Sequence, residues 1–111
     1  MWNKARKAEG LDDSIFRLDA CGALIMRDKF GKKNPYGWVI DHILPLALGG
    51  DDREVNLRAL HYQNNLSKAD NYPSYLSAVQ LVGEENVPSV RSLTVNPAKR
   101  QQLREMGYQN A

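Results

Sequence analysis

A chain of 111 residues, 42% hydrophobic and 25% charged, is sized and composed for a single globular domain with one modest core. The lone cysteine excludes an internal disulfide. No apolar run approaches the about 18 residues needed to span a bilayer, and Met1 is followed by Trp-Asn-Lys-Ala-Arg-Lys where an apolar signal segment would stand. A soluble protein of a reducing, cytoplasmic compartment is expected, with no membrane partner. The net charge is only +2, but it is unevenly spread. Residues 1–37 carry eight Lys and Arg against five Asp and Glu (+3), and residues 38–73 carry three against five (−2). Basic flanks suit a polyanion and an acidic centre suits a cation, although a solvated surface produces similar imbalances.

In chain order, Trp2 to Ala8 predicts a short helix ended by Gly10. Ser14 to Asp19 is ambiguous, and Cys21 to Met26 (CGALIM) reads as a strand. Arg27 to Gly37, dense in Gly, Pro, Asn and Lys, is a polar loop. Trp38 to Leu44 (WVIDHIL) is a strand that stops at Pro45, which has no N–H for a ladder. Gly49-Gly50-Asp51-Asp52 is turn chemistry, Asn56 to Leu60 a short apolar strand, and His61 to Ala69 a helix. Tyr75 to Val82 is a packing segment and GEENVPS a loop. Asn96-Pro97 ahead of AKRQQLREMG predicts a capped helix closed by glycine.

The chemistry concentrates in the centre. Asp41 is a hard oxygen ligand and His42 an imidazole, a group that ordinarily titrates near neutrality. Asn56 follows, then Asn65, then Lys68 three residues on, which shares a helix face with Asn65. A carboxylate, an imidazole, an amide and an ammonium are thus expected to converge between one strand and one helix.

In D-H-I-x-P (Asp41 to Pro45), Gly49-Gly50, Asn56-Leu57 with Leu60, and Asn65 with Lys68, the sequence resembles the HNH endonucleases of the His-Me finger (ββα-metal) superfamily. The likeness covers Trp38 to Asp70. It implies an α+β fold: one domain over residues 1–111 with a ββα-metal core of a short hairpin and a helix at about 37–70. A basic segment and strand (1–36) would precede this core, and a helical packing segment (74–111) would follow it.

By the same resemblance, Asp41 and Asn65 are metal ligands and His42 is the general base that deprotonates water. Asn56 holds His42 in orientation across the loop, and Lys68 sits beside the scissile phosphate. The implied cofactor is Mg²⁺, Mn²⁺ or another divalent cation, and the implied activity is hydrolysis of DNA phosphodiesters, one strand per site. Resemblance to compact standalone members implies a bacterial or phage-encoded protein, acting as monomer or homodimer, alone or with a targeting protein partner.

Many members clamp a structural zinc with two Cys-x-x-Cys pairs. The corresponding places here, Cys21 to Leu24 and His61 to Asn64, offer only Cys21 and His61 as ligands. A closed site needs four, so zinc is not expected, and packing of Trp38, Leu60 and the flanks is expected to replace it. His61 either reaches substrate or caps and packs the helix. Cys21 reads as a small core residue. Arg58, Lys32 and Lys33 are candidate nucleic-acid contacts, or else solvated surface, and the basic segment holding Lys4, Arg6 and Lys7 is open to the same two readings. Neighbouring strand residues point to opposite faces, so Asp41 and His42 share one site only with local irregularity before Pro45 or a site that wraps the strand edge. Two other functions stay open: an HNH scaffold that binds nucleic acid or a partner without turnover, and an RNA-cleaving nuclease.

Overall fold

A computed structural model describes all residues, 1–111. One helical turn, Trp2–Lys4, leads into β1 (Arg6–Lys7), which pairs antiparallel with β2 (Phe16–Leu18), itself paired with β3 (Leu24–Met26). The helix expected over Trp2 to Ala8 is thus cut to a single turn. Its apolar face would have been Trp2 and two alanines, too little burial to sustain a helix. Instead Trp2 is buried, its ring centroid 5.5 Å from that of Trp38, and the exposed Arg6 and Lys7 satisfy their backbone against β2.

The centre follows the expected order. Strand β4 (Trp38–His42) runs antiparallel to β5 (Leu57–His61), with Asp41 opposite Arg58 and His42 opposite Leu57, and α1 (Tyr62–Lys68) leaves β5 directly. Between the strands, turns at Leu46–Leu48 and Glu54–Asn56 flank the Gly49-Gly50 corner. Gly49 has φ +95°, which favours glycine. A Cβ on Gly50 would lie 1.8 Å from Leu44 O and 2.9 Å from Asn56 Nδ2. Gly50→Ala is therefore expected to cost about 2 kcal/mol or more, read as a lowered urea midpoint, because the group it strikes is backbone.

The C-terminal third differs from the helical packing segment expected for 74–111. It holds β6 (Ser74–Leu76) paired with β9 (Ser92–Thr94), the hairpin β7 (Val79–Val82) with β8 (Glu85–Pro88), and only then α2 (Pro97–Glu105). The short apolar stretches there alternate and are broken by Pro and Gly, which matches strand period and not 3.6 residues. GEENVPS, read as loop, is mostly the β7–β8 turn and β8. At α2 the expected capping is present: Asn96 accepts from Ala98 N at 2.7 Å, with proline in the first turn.

The chain is thus α+β, with two α-helices and four small antiparallel sheets. No helix is long and apolar enough to cross a membrane. The main core gathers Cys21, Ile43, Leu44, Leu60, Tyr75, Val95, Leu103 and Tyr108, so the central hairpin is held by residues from both ends. A second cluster packs Trp2, Ile25, Trp38 and Ala59 on the opposite face of the hairpin. Cys21 belongs to the core, where burial and the nearby Asp19 carboxylate push its thiol up to about 12. That is the behaviour of a packing residue.

Candidate functional site

The connection between β4 and β5 is shaped by one side chain. Asn56 is fully buried; its Oδ1 accepts from Leu44 N at 2.7 Å, and its Nδ2 donates to Leu44 O and Asp51 O, both at 3.0 Å. Its own carbonyl accepts from Ile43 N at 2.8 Å. The amide therefore acts as a surrogate strand, extending the ladder across the two residues that follow His42, where Pro45 ends regular pairing. Backbone that would otherwise be buried and unpaired is satisfied.

His42 stands at the end of β4 with its side chain 28% exposed, and its Nε2 lies 2.7 Å from Oδ1 of Asp52, which is 87% exposed. Asp52 is a functional candidate that sequence reading missed. It lies in the Gly-Gly-Asp-Asp turn, where an aspartate is already explained by turn formation. Only the loop's fold carries it back to the imidazole.

The alternation of β4 sends Asp41 the other way. Asp41 is buried, with Oδ2 2.9 Å from Arg58 Nε and Oδ1 3.3 Å from Lys68 Nζ. Lys68 is wholly buried and also donates to the carbonyl of His42 at 3.0 Å. Burial lowers its proton affinity, opposed by Asp41. For Arg58, burial is the largest influence and works against the charge, but the Asp41 carboxylate and the Tyr75 hydroxyl together outweigh it and the net shift is upward. Arg58 and Lys68 also sit over the Tyr75 ring, at 5.3 and 5.9 Å from its centroid. Of the residues singled out in the sequence, Asp41, Arg58 and Lys68 form one cluster, and Lys68 presents no surface to a ligand in this arrangement.

Asn65 lines a different feature, a groove of about 340 Å³ that it shares with Lys32, Lys33, Val39, Ile40 and Tyr62. Lys32 and Lys33 are exposed at its rim. Asn65 and the two loop lysines therefore line one groove, while Asp41 and Lys68 meet in a separate buried cluster.

His61 is fully buried at the N-cap of α1. Its Nδ1 accepts from Gln63 N at 3.1 Å, and its Nε2 lies 2.8 Å from Pro35 O. These partners specify the neutral ring with the proton on Nε2. Burial lowers its proton affinity below the ordinary 6.5. The unfolded chain thus binds the proton more readily than the folded one, and stability falls as pH drops through and below that value. Melting temperature is expected to decline between pH 7.5 and 5, and His61→Asn, which keeps a capping oxygen, should flatten the decline.

The two segments at which the resemblance places zinc-binding pairs are joined by a carboxylate. Buried Asp19 accepts from Cys21 N and Ala23 N at 2.9 and 2.8 Å through Oδ1. Its Oδ2 accepts from His61 N and Asn64 Nδ2 at 2.9 and 3.0 Å. Four donors around one buried carboxylate tie the β2–β3 turn to the start of α1. Asn64 in turn accepts from Ala78 N and Val79 N, securing the β7 strand.

A divalent cation of the type implied needs free oxygen donors from Asp41 and Asn65. As arranged, both carboxylate oxygens of Asp41 are held by cationic side chains, and Asn65 lines the groove beyond them. No group of three or more His, Cys, Asp and Glu side chains is placed to hold a metal. The donor set does not fit a cation in this conformation, since an ion against Asp41 would displace one positive group and lie beside another.

No protein-family model, curated protein or solved structure gives a significant match to the chain.

Proposed function

We propose that the chain is an HNH-type nuclease with a ββα-metal core that hydrolyses phosphodiester bonds of DNA, nicking one strand per site with His42 as general base. The observation that carries this reading is the Asn56 clamp on the backbone following His42, since the resemblance implies an asparagine here that bonds across this loop. The hairpin β4–β5 feeding directly into α1 supports it further.

The chain's own groups supply a proton path and an anion groove. Asp52 orients the imidazole, which takes a proton from water as the water's oxygen bonds to phosphorus and the 3′ oxygen leaves. Lys32 and Lys33 beside Asn65 meet the negative strand along β4. A divalent cation such as Mg²⁺ or Mn²⁺, were it held by Asp41 and Asn65 as the resemblance implies, would supply charge stabilisation at the phosphate. Its binding here requires Asp41 to give up Arg58 or Lys68. Target choice falls to a protein partner or to DNA shape.

The second reading, a non-catalytic scaffold that binds nucleic acid, is favoured by the closed Asp41, Arg58 and Lys68 cluster. Nicking of supercoiled plasmid, with and without Mg²⁺ or Mn²⁺, decides between them. Metal-dependent nicking carries the nuclease. Binding without cutting at any metal concentration carries the scaffold, and cutting confined to structured RNA reassigns the substrate.

A further inference from the structure

Along the free edge of β5 lies a cleft of about 310 Å³ whose wall brings together the two ends of the chain. Lys4 and Arg6 come from the N-terminal turn and β1, Lys99 from α2, and Arg58 from β5, with Leu57 and Ile43 among the apolar residues of the lining. We infer that this cleft is a phosphate-binding site, and that it holds a backbone phosphate of the nucleic-acid strand that passes His42. The inference rests on the proposed function only for the source of the phosphate.

The lysines are fixed in place, so their charge is not diffuse. Lys4 Nζ donates to Glu54 O and Leu57 O, both at 2.8 Å, while Lys99 Nζ donates to Val55 O at 3.1 Å and Gln102 Oε1 at 2.7 Å. Two ammonium groups are thus tethered to neighbouring carbonyls of one short segment. Each ammonium has three N–H donors, and these bonds use two. Burial, and then the charge of Lys4, lower the proton affinity of Lys99, and an anion between the two ammonium groups offsets their mutual repulsion. Arg58 spends its Nε on Asp41 and has a buried Nη2 with no hydrogen-bond partner.

Val95 and Asn96 also line the cleft, placing the N-terminal end of the nine-residue α2, with its partial positive charge, at the same wall. One acid lines it, Asp19, whose carboxylate is already committed to four N–H donors of the protein. Lys4, Arg6 and Lys99, with Arg58 already paired to Asp41, therefore face one spent carboxylate. The cleft also adjoins the reacting end of the hairpin, because Leu57 is the cross-strand partner of His42 and Ile43 follows it in sequence.

The test is binding of a fluorescein-labelled single-stranded DNA oligonucleotide to the full chain in EDTA, followed by anisotropy over a range of salt. Nothing is cut under these conditions, so failure of the nuclease reading leaves the result interpretable. The double variant Arg6→Gln, Lys99→Gln is compared with Lys7→Gln, Lys29→Gln, which removes the same charge outside the cleft. The cleft variant is expected to raise Kd about tenfold or more and to lower the slope of log K against log salt by about 1.5, against less than about threefold and little slope change for the other. Arg6→Gln alone, which loses one side-chain hydrogen bond at 3.5 Å, keeps the test sound if Lys99→Gln perturbs folding. Equal losses in the two double variants, or none in either, overturn the site. Inorganic phosphate and a nucleoside triphosphate form the second arm. If they bind in a manner sensitive to Arg6 and Lys99 while the oligonucleotide does not, the strand assignment is overturned in favour of a free phosphate ligand.

Discussion

Exchanging His42 for alanine is expected to remove plasmid nicking while leaving the fold intact, and the comparison with Asp52→Asn separates the base from the group that orients it. A placed general base contributes about 10²- to 10⁴-fold, so loss of the imidazole should take activity to background. Stability should hardly change, because the ring is partly exposed and its one side-chain partner is a surface carboxylate. Asp52 works at one remove: an exposed orienting carboxylate is expected to be worth about tenfold in kcat, far less than the about 10⁴ of a buried triad aspartate. Its signature is a changed pH profile of kcat, which a merely structural residue would not produce. If His42→Ala nicks as well as the native protein, the base assignment fails.

The second large effect concerns stability. Asp41→Asn keeps the shape of the side chain and removes the charge that Arg58 and Lys68 both use. Lys68 is fully buried, and an uncompensated buried charge costs about 3 to 5 kcal/mol, a large share of the about 5 to 15 kcal/mol that holds a domain together. Urea denaturation should show this as a midpoint shift at unchanged slope. The triple variant Asp41→Leu, Arg58→Met, Lys68→Met, which removes the buried carboxylate together with both cations paired to it, is expected to recover most of the loss, since apolar replacement of a buried ionic cluster is often near neutral. A single Asp41→Asn variant as stable as the native protein would mean that the cluster opens readily, which is the condition metal binding at Asp41 requires.

Much of the centre was legible because its signals are local. Pro45 ends a strand wherever it lies, Gly49-Gly50 marks a corner, and the apolar stretches on either side have strand length. The strand from Trp38, the strand at Leu57 and the helix from Tyr62 therefore stand within two residues of their expected bounds. The ends were less legible. Arg6 to Lys7 and Ser92 to Thr94 are short strands with little apolar content, and their pairing with Phe16 to Leu18 and Ser74 to Leu76 depends on partners distant in sequence. Short strands of this kind carry almost no signal of their own.

For the candidate site, the chain by itself determined which chemical groups are available and the order strand, loop, strand, helix that presents them. Only the tertiary structure decided which of those groups face one another. Alternation along β4 turned Asp41 inward to Arg58 and Lys68 and left His42 at the surface with Asp52, while packing against both termini drew Lys4, Arg6 and Lys99 to the edge of β5. Residue type and spacing express local geometry, whereas the pairing of charges depends on burial, and burial is settled by the whole chain at once.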